Sequence, residues 1–345
     1  MSLLFSFQDL NAVFEKLTRQ YRIMAPIRIV GGGRFSDDDS IQYGEVTKIE
    51  EVVWDEKSHF SPKEVIAPIT QTLFHISNDQ LITSTIDRRK ILLFMRPCDI
   101  HGMSRLDDMF MKNGDNEDFY YKRLRDRVKV VMFECDSGWD NCFCVSMKTN
   151  KTEDYDVAVR FSENDISMKF QNEELEAQFA EHGQPSEFEP NFVEENSFTV
   201  DLPAETSGLA PQQIRDKIIG HQLFDEYDRR CVECGRCTTS CPTCSCYTVH
   251  DVKYSENAKV GERQRVWSSC IVPGFSDMAG GHSYRNRKSE RLRYRLLHKM
   301  VDHNERFGHH MCVGCGRCDD RCPQYISFSN MVMKTTAALT EVEHA

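Results

Sequence analysis

Two cysteine runs in the C-terminal part of the chain have the spacing of iron–sulfur ligands. Each run has three thiols at intervals of three residues, then a fourth thiol four residues on, then proline. This is the bacterial ferredoxin spacing for a cubane [4Fe–4S] cluster. The eight thiols are Cys231, Cys234, Cys237 and Cys241 in the first run, and Cys312, Cys315, Cys318 and Cys322 in the second. Two nearly identical runs in one chain predict two [4Fe–4S] clusters.

In two-cluster ferredoxins the fourth thiolate of each run ligates the other cluster. The spacing therefore predicts two crossed ligand sets. Cluster 1 takes Cys231, Cys234, Cys237 and Cys322, and cluster 2 takes Cys312, Cys315, Cys318 and Cys241. A cluster held by four thiolates has no open position for a substrate, so it suits electron transfer or a structural role. Crossed ligands hold the two clusters close together, which favours electron transfer. They also require the long segment between the runs to fold back so that the runs meet.

Four further cysteines lie in the N-terminal half, at predicted strand ends or just beyond them: Cys98, Cys135, Cys142 and Cys144. Residues 91–95 and 128–134 have the apolar pattern of buried strands, and the residues between them repeat with helical period, which predicts a β–α–β unit. Ligands of open α/β sheets lie beyond the carboxyl ends of the strands. The four thiols are therefore a candidate third [4Fe–4S] site. The same ligands suit zinc, and buried cysteines often serve packing alone.

Other segments position these thiols. Residues 1–22 have the apolar spacing of an amphipathic helix, which Ser6 and Asp9 are expected to cap. Residues 31–33 are three glycines followed by Arg34, and the acidic residues at 37–39 predict a turn rather than a phosphate-binding loop. Residues 156–161 and 165–170 alternate like the two strands of a hairpin. Helices are expected before the first run and from residue 326 to about residue 342.

The fold class expected is an N-terminal α/β domain followed by an α-helical dicluster ferredoxin domain. The domain boundary is placed near residue 205, in a stretch rich in Pro, Glu, Ser and Gly, so that the domains are residues 1–205 and 206–345. The second domain also contains Cys244, Cys246 and Cys270, to which the spacing assigns no role.

Composition limits the classes of function. The chain has 345 residues, 40% of them hydrophobic and 28% charged, as in globular proteins. The net charge of −11 argues against general nucleic-acid binding. The longest apolar runs are too short to span a bilayer, and the N-terminus lacks the features of a signal peptide. Fifteen cysteines fit metal ligation in a reducing compartment better than disulfides, so the expected location is cytoplasmic.

A basic segment precedes the second run. Residues 285–299 contain seven Lys or Arg residues and one Glu, while Leu292, Leu296 and Met300 recur every four residues. Two interpretations remain open. The charges form a solvated helix face, as charge runs usually do, or they dock a partner subunit or raise the cluster potentials electrostatically.

The motifs also resemble a known family. The matching motifs are Cys-Gly-Arg-Cys in both runs, Cys-Pro-Thr-Cys after the first, and residues 32–37, 54–59, 141–147 and 272–282. The first three are similar to the iron–sulfur β-subunit family of sulfhydrogenases and sulfite reductases. The other four resemble, more narrowly, the iron–sulfur subunits of anaerobic sulfite reductases.

This resemblance implies a cytoplasmic three-subunit complex. A flavin subunit would oxidise NADH, this non-catalytic subunit would relay the electrons, and a sirohaem subunit would reduce sulfite to sulfide. The alternatives are the β-subunit of a sulfur-reducing NiFe hydrogenase, and a structural module whose clusters only hold helices together.

Overall fold

The computed structural model describes residues 1–33, 37–78, 80–135, 137–254, 256 and 259–340. The contacts divide the chain into two compact units, each built from three segments. Unit 1 comprises Met1–Asp136, Lys151–Val193 and Thr248–Trp267, and unit 2 comprises Ser137–Asn150, Glu194–Tyr247 and Ser268–Ala345. The boundary near residue 205 remains a prediction about independently folding domains, because the contact units are interleaved along the chain. In the described residues, no helix is both long enough and apolar enough to cross a bilayer.

In the part of the chain that the structure describes, unit 1 contains an eight-stranded mixed sheet and a second sheet of four strands. The strands are β1 (Ser2–Ser6), β2 (Tyr21–Ile29), β3 (Ser40–Glu45), β4 (Thr70–Ser77), β5 (Gln80–Thr83), β6 (Lys90–Met95), β7 (Val128–Phe133), β8 (Val157–Phe161), β9 (Asp165–Phe170), β10 (Gln184–Pro185), β11 (Tyr247–Lys253) and β12 (Val260–Trp267). The larger sheet has the order β10-β1-β9-β8-β7-β6-β2-β3, and the smaller has the order β11-β12-β4-β5. Within the larger sheet, the pairs β2–β6, β6–β7 and β7–β8 are parallel. The other pairs of that sheet are antiparallel.

The helices described with these strands are α1 (Phe7–Leu17), α2 (Lys63–Ile66), α3 (Pro97–Met111), α4 (Phe119–Arg125) and α5 (Glu173–Phe179). The predicted β–α–β unit is confirmed, since α3 connects β6 to its parallel neighbour β7. The predicted hairpin is confirmed as the antiparallel pair β8–β9. Buried side chains of β6 alternate between two apolar clusters, Leu92 in one and Leu93 in the other. The sheet is therefore packed on both faces, as its parallel strands require.

The helix predicted over residues 1–22 is wrong at both ends. Residues 2–6 form β1, in which Leu3 and Phe5 are buried and the backbone pairs with β9. Residue Tyr21 opens β2. The predicted cap is present, because Ser6 Oγ accepts a hydrogen bond from the backbone N–H of Asp9. The burial of residues 2–6 alternates as in a strand, although Leu3, Leu4 and Phe5 form a continuous apolar run. The sheet partner that selects the strand lies far away in sequence.

A buried polar group in unit 1 gives a stability prediction. The Tyr121 hydroxyl donates to Asp107 Oδ1 at 2.7 Å, and Arg125 Nε donates to the same oxygen at 3.0 Å. Burial raises the pKa of both Tyr121 and Asp107. Tyr121→Phe removes one donor from a buried carboxylate, so we expect a loss of about 1–2 kcal/mol, measured as the urea midpoint of unfolding. Tyr120→Phe is the control, and an equal loss in the two variants would contradict the role of the hydrogen bond.

Unit 2 is mainly helical. Its helices are α6 (Pro203–Ser207), α7 (Pro211–Ile218), α8 (Glu226–Arg230), α9 (Arg236–Thr239), α10 (Lys288–Leu297), α11 (His303–Phe307), α12 (Arg317–Asp320) and α13 (Phe328–Thr340). A π-helical turn, His298–Asp302, joins α10 to α11, and the two short strands β13 (Asp277–Met278) and β14 (His282–Ser283) pair with each other. Apolar faces of α7, α10 and α13 meet in one core cluster. The predicted end of the last helix, near residue 342, lies outside the described residues.

Candidate functional site

The two cysteine runs fold into loops with matching backbone conformations. The third residue of each run, Glu233 in the first and Gly314 in the second, has a left-handed φ, of 55° and 63° respectively. The glycine after the second cysteine does the same, with φ of 71° at Gly235 and 70° at Gly316. A short helix then begins in each run, α9 in one and α12 in the other. The repeat in the sequence is therefore a repeat in three dimensions.

Backbone N–H groups point at the cysteine sulfurs. Glu233 N–H donates to Cys231 Sγ at 3.4 Å, and Gly314 N–H donates to Cys312 Sγ at 3.5 Å. Ile326 N–H donates to Cys322 Sγ at 3.3 Å. Such donors favour a negatively charged sulfur over a neutral one. These backbone donors thus offset part of the cost of a thiolate in a buried loop.

The first group of thiols joins cysteines of both runs. One cavity is lined by Cys231, Cys234, Cys237 and Cys322, with Leu292, Arg295 and Ile326 completing part of its wall. Burial raises the pKa of Cys231 to about 11, and the neighbouring thiols of Cys237, Cys234 and Cys322 add to the rise. The structure therefore brings together the four residues predicted for cluster 1, three from the first run and one from the second.

The second group of thiols combines three cysteines of the second run with Cys241 of the first. Burial raises the pKa of Cys312 to about 12, and the nearby thiols of Cys241 and Cys315 raise it further. Burial also raises the pKa of Cys318, with contributions from Asp319, Cys241 and Cys312. Cys241 of the first run therefore lies among the thiols of the second, as the crossed ligand set predicts.

The donor set of unit 2 fits clusters better than a single metal ion. Zn²⁺ with Zn–S bonds of about 2.3 Å places its sulfurs roughly 4 Å apart. In the part of unit 2 that the structure describes, no three cysteine sulfurs lie within 4.8 Å of one another. A cubane separates its ligands more widely, because each thiolate binds a different iron. Thiols spread around a shared cavity are the arrangement that a [4Fe–4S] cluster needs.

Some of the cationic side chains in the basic segment, residues 285–299, are buried. Arg291, Arg295 and Lys299 are buried, while Arg287 is exposed. Arg291 donates to the backbone oxygens of Ile271, Arg285 and Asn286 and forms an ion pair with Glu233. The solvated-face interpretation is therefore wrong for these three side chains. The sequence did not distinguish these three buried cations from the exposed ones, because their four-residue spacing is the same as that of the apolar residues.

The four N-terminal candidates belong to different units. Cys98 lies in the first turn of α3 and Cys135 follows β7, so both come after adjacent parallel strands of unit 1. Cys142 and Cys144 belong to unit 2 and are buried. A shared site for the four remains a prediction.

The Cys142–Cys144 loop has a second role that the sequence analysis did not identify. Phe143 N–H donates to Gly314 O at 2.8 Å, and the Cys142 thiol contacts Cys315 O at 3.6 Å. Thr149 Oγ1 donates to Val313 O at 2.7 Å. The segment Ser137–Asn150 therefore supports the loop of the second run. The signal in the sequence is the glycine at position 314, where the first run has Glu233.

Three cysteines outside the motifs lie near the first run: Cys244, Cys246 and Cys270. A hydrogen bond from the Cys244 thiol, together with the charge of Lys299, holds the pKa of Cys241 below its usual range. Cys246 and Cys270 form a hydrogen-bonded pair that, with burial, raises the pKa of Cys270. Cys244 thus favours the thiolate form of a predicted ligand.

The comparisons with known proteins agree with this geometry. Residues 230–326 match the family model of the 4Fe-4S dicluster domain. The chain is 28% identical over 326 residues to sulfhydrogenase 2 subunit beta of Pyrococcus furiosus, a match that covers 91% of this chain and 92% of the relative. No solved structure gave a significant match. These findings do not support sulfite reductase specifically. The chain is an iron–sulfur protein with a C-terminal dicluster domain, similar along nearly its whole length to a sulfhydrogenase β-subunit.

Proposed function

We propose that this chain is a non-catalytic electron-transfer subunit that carries two [4Fe–4S] clusters. One observation supports the proposal most directly: Cys231, Cys234 and Cys237 of the first run line one cavity together with Cys322, the fourth thiol of the second run. Cluster 1 takes Cys231, Cys234, Cys237 and Cys322, and cluster 2 takes Cys312, Cys315, Cys318 and Cys241. Four thiolates around each cluster would leave no open position for a substrate, and the chemistry that such clusters would supply is electron transfer.

Iron content tests this proposal. Protein purified without oxygen should contain about eight irons and eight acid-labile sulfides per chain, at four per cluster. Dithionite should reduce both clusters and produce the corresponding electron paramagnetic resonance (EPR) signals. Clusters that no accessible potential reduces would contradict electron transfer. They would favour the structural alternative, in which an assembled cluster-free complex keeps its turnover.

A third cluster at Cys98, Cys135, Cys142 and Cys144 is a further part of the proposal. Two of these thiols follow the ends of adjacent parallel strands, where ligands of open sheets lie. A content of about twelve irons per chain would support this third site. About eight irons with one bound zinc would favour zinc instead, and eight irons with no zinc would leave these cysteines with packing roles.

The surrounding complex has two candidates. The whole-length similarity to a sulfhydrogenase β-subunit supports the β-subunit of a sulfur-reducing NiFe hydrogenase. The motifs at residues 32–37, 54–59, 141–147 and 272–282 support a cytoplasmic NADH-dependent sulfite reductase instead, in which this chain relays electrons from a flavin subunit to a sirohaem subunit.

The partner purified with the native chain decides between them. Nickel in the isolated complex would support the hydrogenase, and the absorption spectrum of sirohaem with sulfite reduction would support the sulfite reductase. The electron-transfer role of this chain is common to both, so neither result bears on the cluster ligands.

A further inference from the structure

Two cations lie inside unit 2 one helical turn apart, Arg295 on α10 and Lys299 on the following π-helical turn. Only 4% of Arg295 and 2% of Lys299 is exposed. Since the cost of burying an unpaired charge is several kcal/mol, each cation needs a negative partner. We propose that these partners are the two clusters, and that Lys299 and Arg295 raise the cluster reduction potentials, Lys299 acting mainly on cluster 2 and Arg295 on both. This inference rests on the proposed electron-transfer function.

The ammonium group of Lys299 contacts Cys241, a predicted ligand of cluster 2. Its Nζ lies 3.4 Å from Cys241 Sγ and donates to Thr243 Oγ1 at 2.8 Å. Among the described residues, no carboxylate forms an ion pair with this ammonium group. The counter-charge of Lys299 is therefore the sulfur that the crossed set assigns to cluster 2.

Arg295 faces thiols of both runs. It donates to the backbone oxygen of Cys237 at 3.2 Å, lies 4.6 Å from the ring centroid of Phe328, and lines the cavity of the first thiol group. Its Nε has no hydrogen-bond partner within the described part of the chain. Its guanidinium lies close enough to the thiols of Cys237 and Cys318 for its charge to interact with a thiolate at either position. Those two cysteines belong to different predicted clusters, so Arg295 acts electrostatically on both.

The sign of the effect follows from charge alone. Reduction adds one electron, and therefore one negative charge, to a cluster. A fixed cation close to the sulfurs stabilises the reduced form more than the oxidised form, and the weak screening of a buried site preserves that difference. Because Arg295 is close to thiols of both groups, it also offsets the repulsion between two reduced clusters. The chain is thereby suited to hold two electrons at once.

Potentiometric titration with dithionite, followed by EPR on the complete anaerobic protein, tests the inference. Lys299→Met should make the reduction equilibrium of cluster 2 at least tenfold less favourable, a shift of about 59 mV to lower potential for one electron. Arg295→Met should lower both potentials. Arg293→Met is the matched control, because it removes one positive charge from α10 at a position without an ion pair in the described residues.

The iron content separates the possible outcomes. Lys299→Met and Arg295→Met could both keep their full iron content and show the same reduction potentials as Arg293→Met. That result would overturn the inference and leave the electron-transfer function intact. If the Met variants lose iron, Lys299→Arg and Arg295→Lys are measured in their place. Retained iron and near-native potentials in these variants would support a requirement for charge, and loss of iron in them would overturn it. Wild-type protein without reducible iron would contradict the proposed function itself.

Discussion

Cys241→Ala should remove the same cluster as Cys312→Ala, although Cys241 belongs to the first cysteine run. The reason is the crossed arrangement, in which Cys241 lies among the thiols of the second run. Each variant should lose about four irons per chain, and the remaining EPR signal should be the same in both. Electron transfer through the chain should then fall below detection, because the path loses one of its two clusters.

The reciprocal pair completes this experiment. Cys322→Ala should match Cys231→Ala, since both residues line the cavity of the first thiol group. Thr239→Ala, two residues from Cys241, is the control and should keep both signals. If Cys241→Ala instead matched Cys231→Ala, each cluster would take all four ligands from one run, and the crossed assignment would be wrong.

Gly314→Ala should strongly destabilise the loop of the second cysteine run. A Cβ at Gly314 would lie 2.6 Å from the backbone atoms Cys144 N, Phe143 C and Phe143 O, which cannot move independently of their loop. The left-handed φ of 63° adds a conformational cost. We expect a loss of about 2–5 kcal/mol, from about 1–2 kcal/mol for the left-handed backbone and about 1–3 kcal/mol for overpacking.

Gly308→Ala separates these two contributions. Gly308 has φ of 78°, and a Cβ there would meet no atom of the described residues within 4 Å. Its substitution should cost only the conformational part, about 1–2 kcal/mol. The two variants are compared by urea unfolding of anaerobic protein and by iron content. Equal losses of stability in both would show that the segment Ser137–Asn150 does not press on the second loop.

The parts of the site that the sequence predicted are those with a local cause. The spacing of the cysteines set the shape of each loop, and the β–α–β pattern of residues 91–134 gave the parallel pair β6–β7. The cap at Ser6 was predicted because a capping residue and the N–H that it accepts from are neighbours in the chain.

The parts that were missed depend on residues distant in sequence. The strand at Ser2–Ser6 is selected by pairing with β9. The inward direction of Lys299 is fixed by Cys241 and Thr243, nearly sixty residues away. The support that Phe143 gives to the loop at Gly314 spans a still longer separation. Periodicity identifies an amphipathic face, but it does not distinguish a cation in water from a cation beside thiolates.

The left-handed residue at the third position of the run is a glutamate in the first loop and a glycine in the second. This difference affects which substitutions each position can accept. At position 314 the backbone of Phe143 and Cys144 leaves no room for any side chain, so glycine alone is compatible with the loop. At position 233 a glutamate adopts the same conformation and pairs with the buried Arg291. Asparagine, aspartate or glycine would meet the backbone requirement there equally well. Copies of this domain that diverge over time should therefore keep glycine in the second loop, while positions 233 and 291 change together in the first.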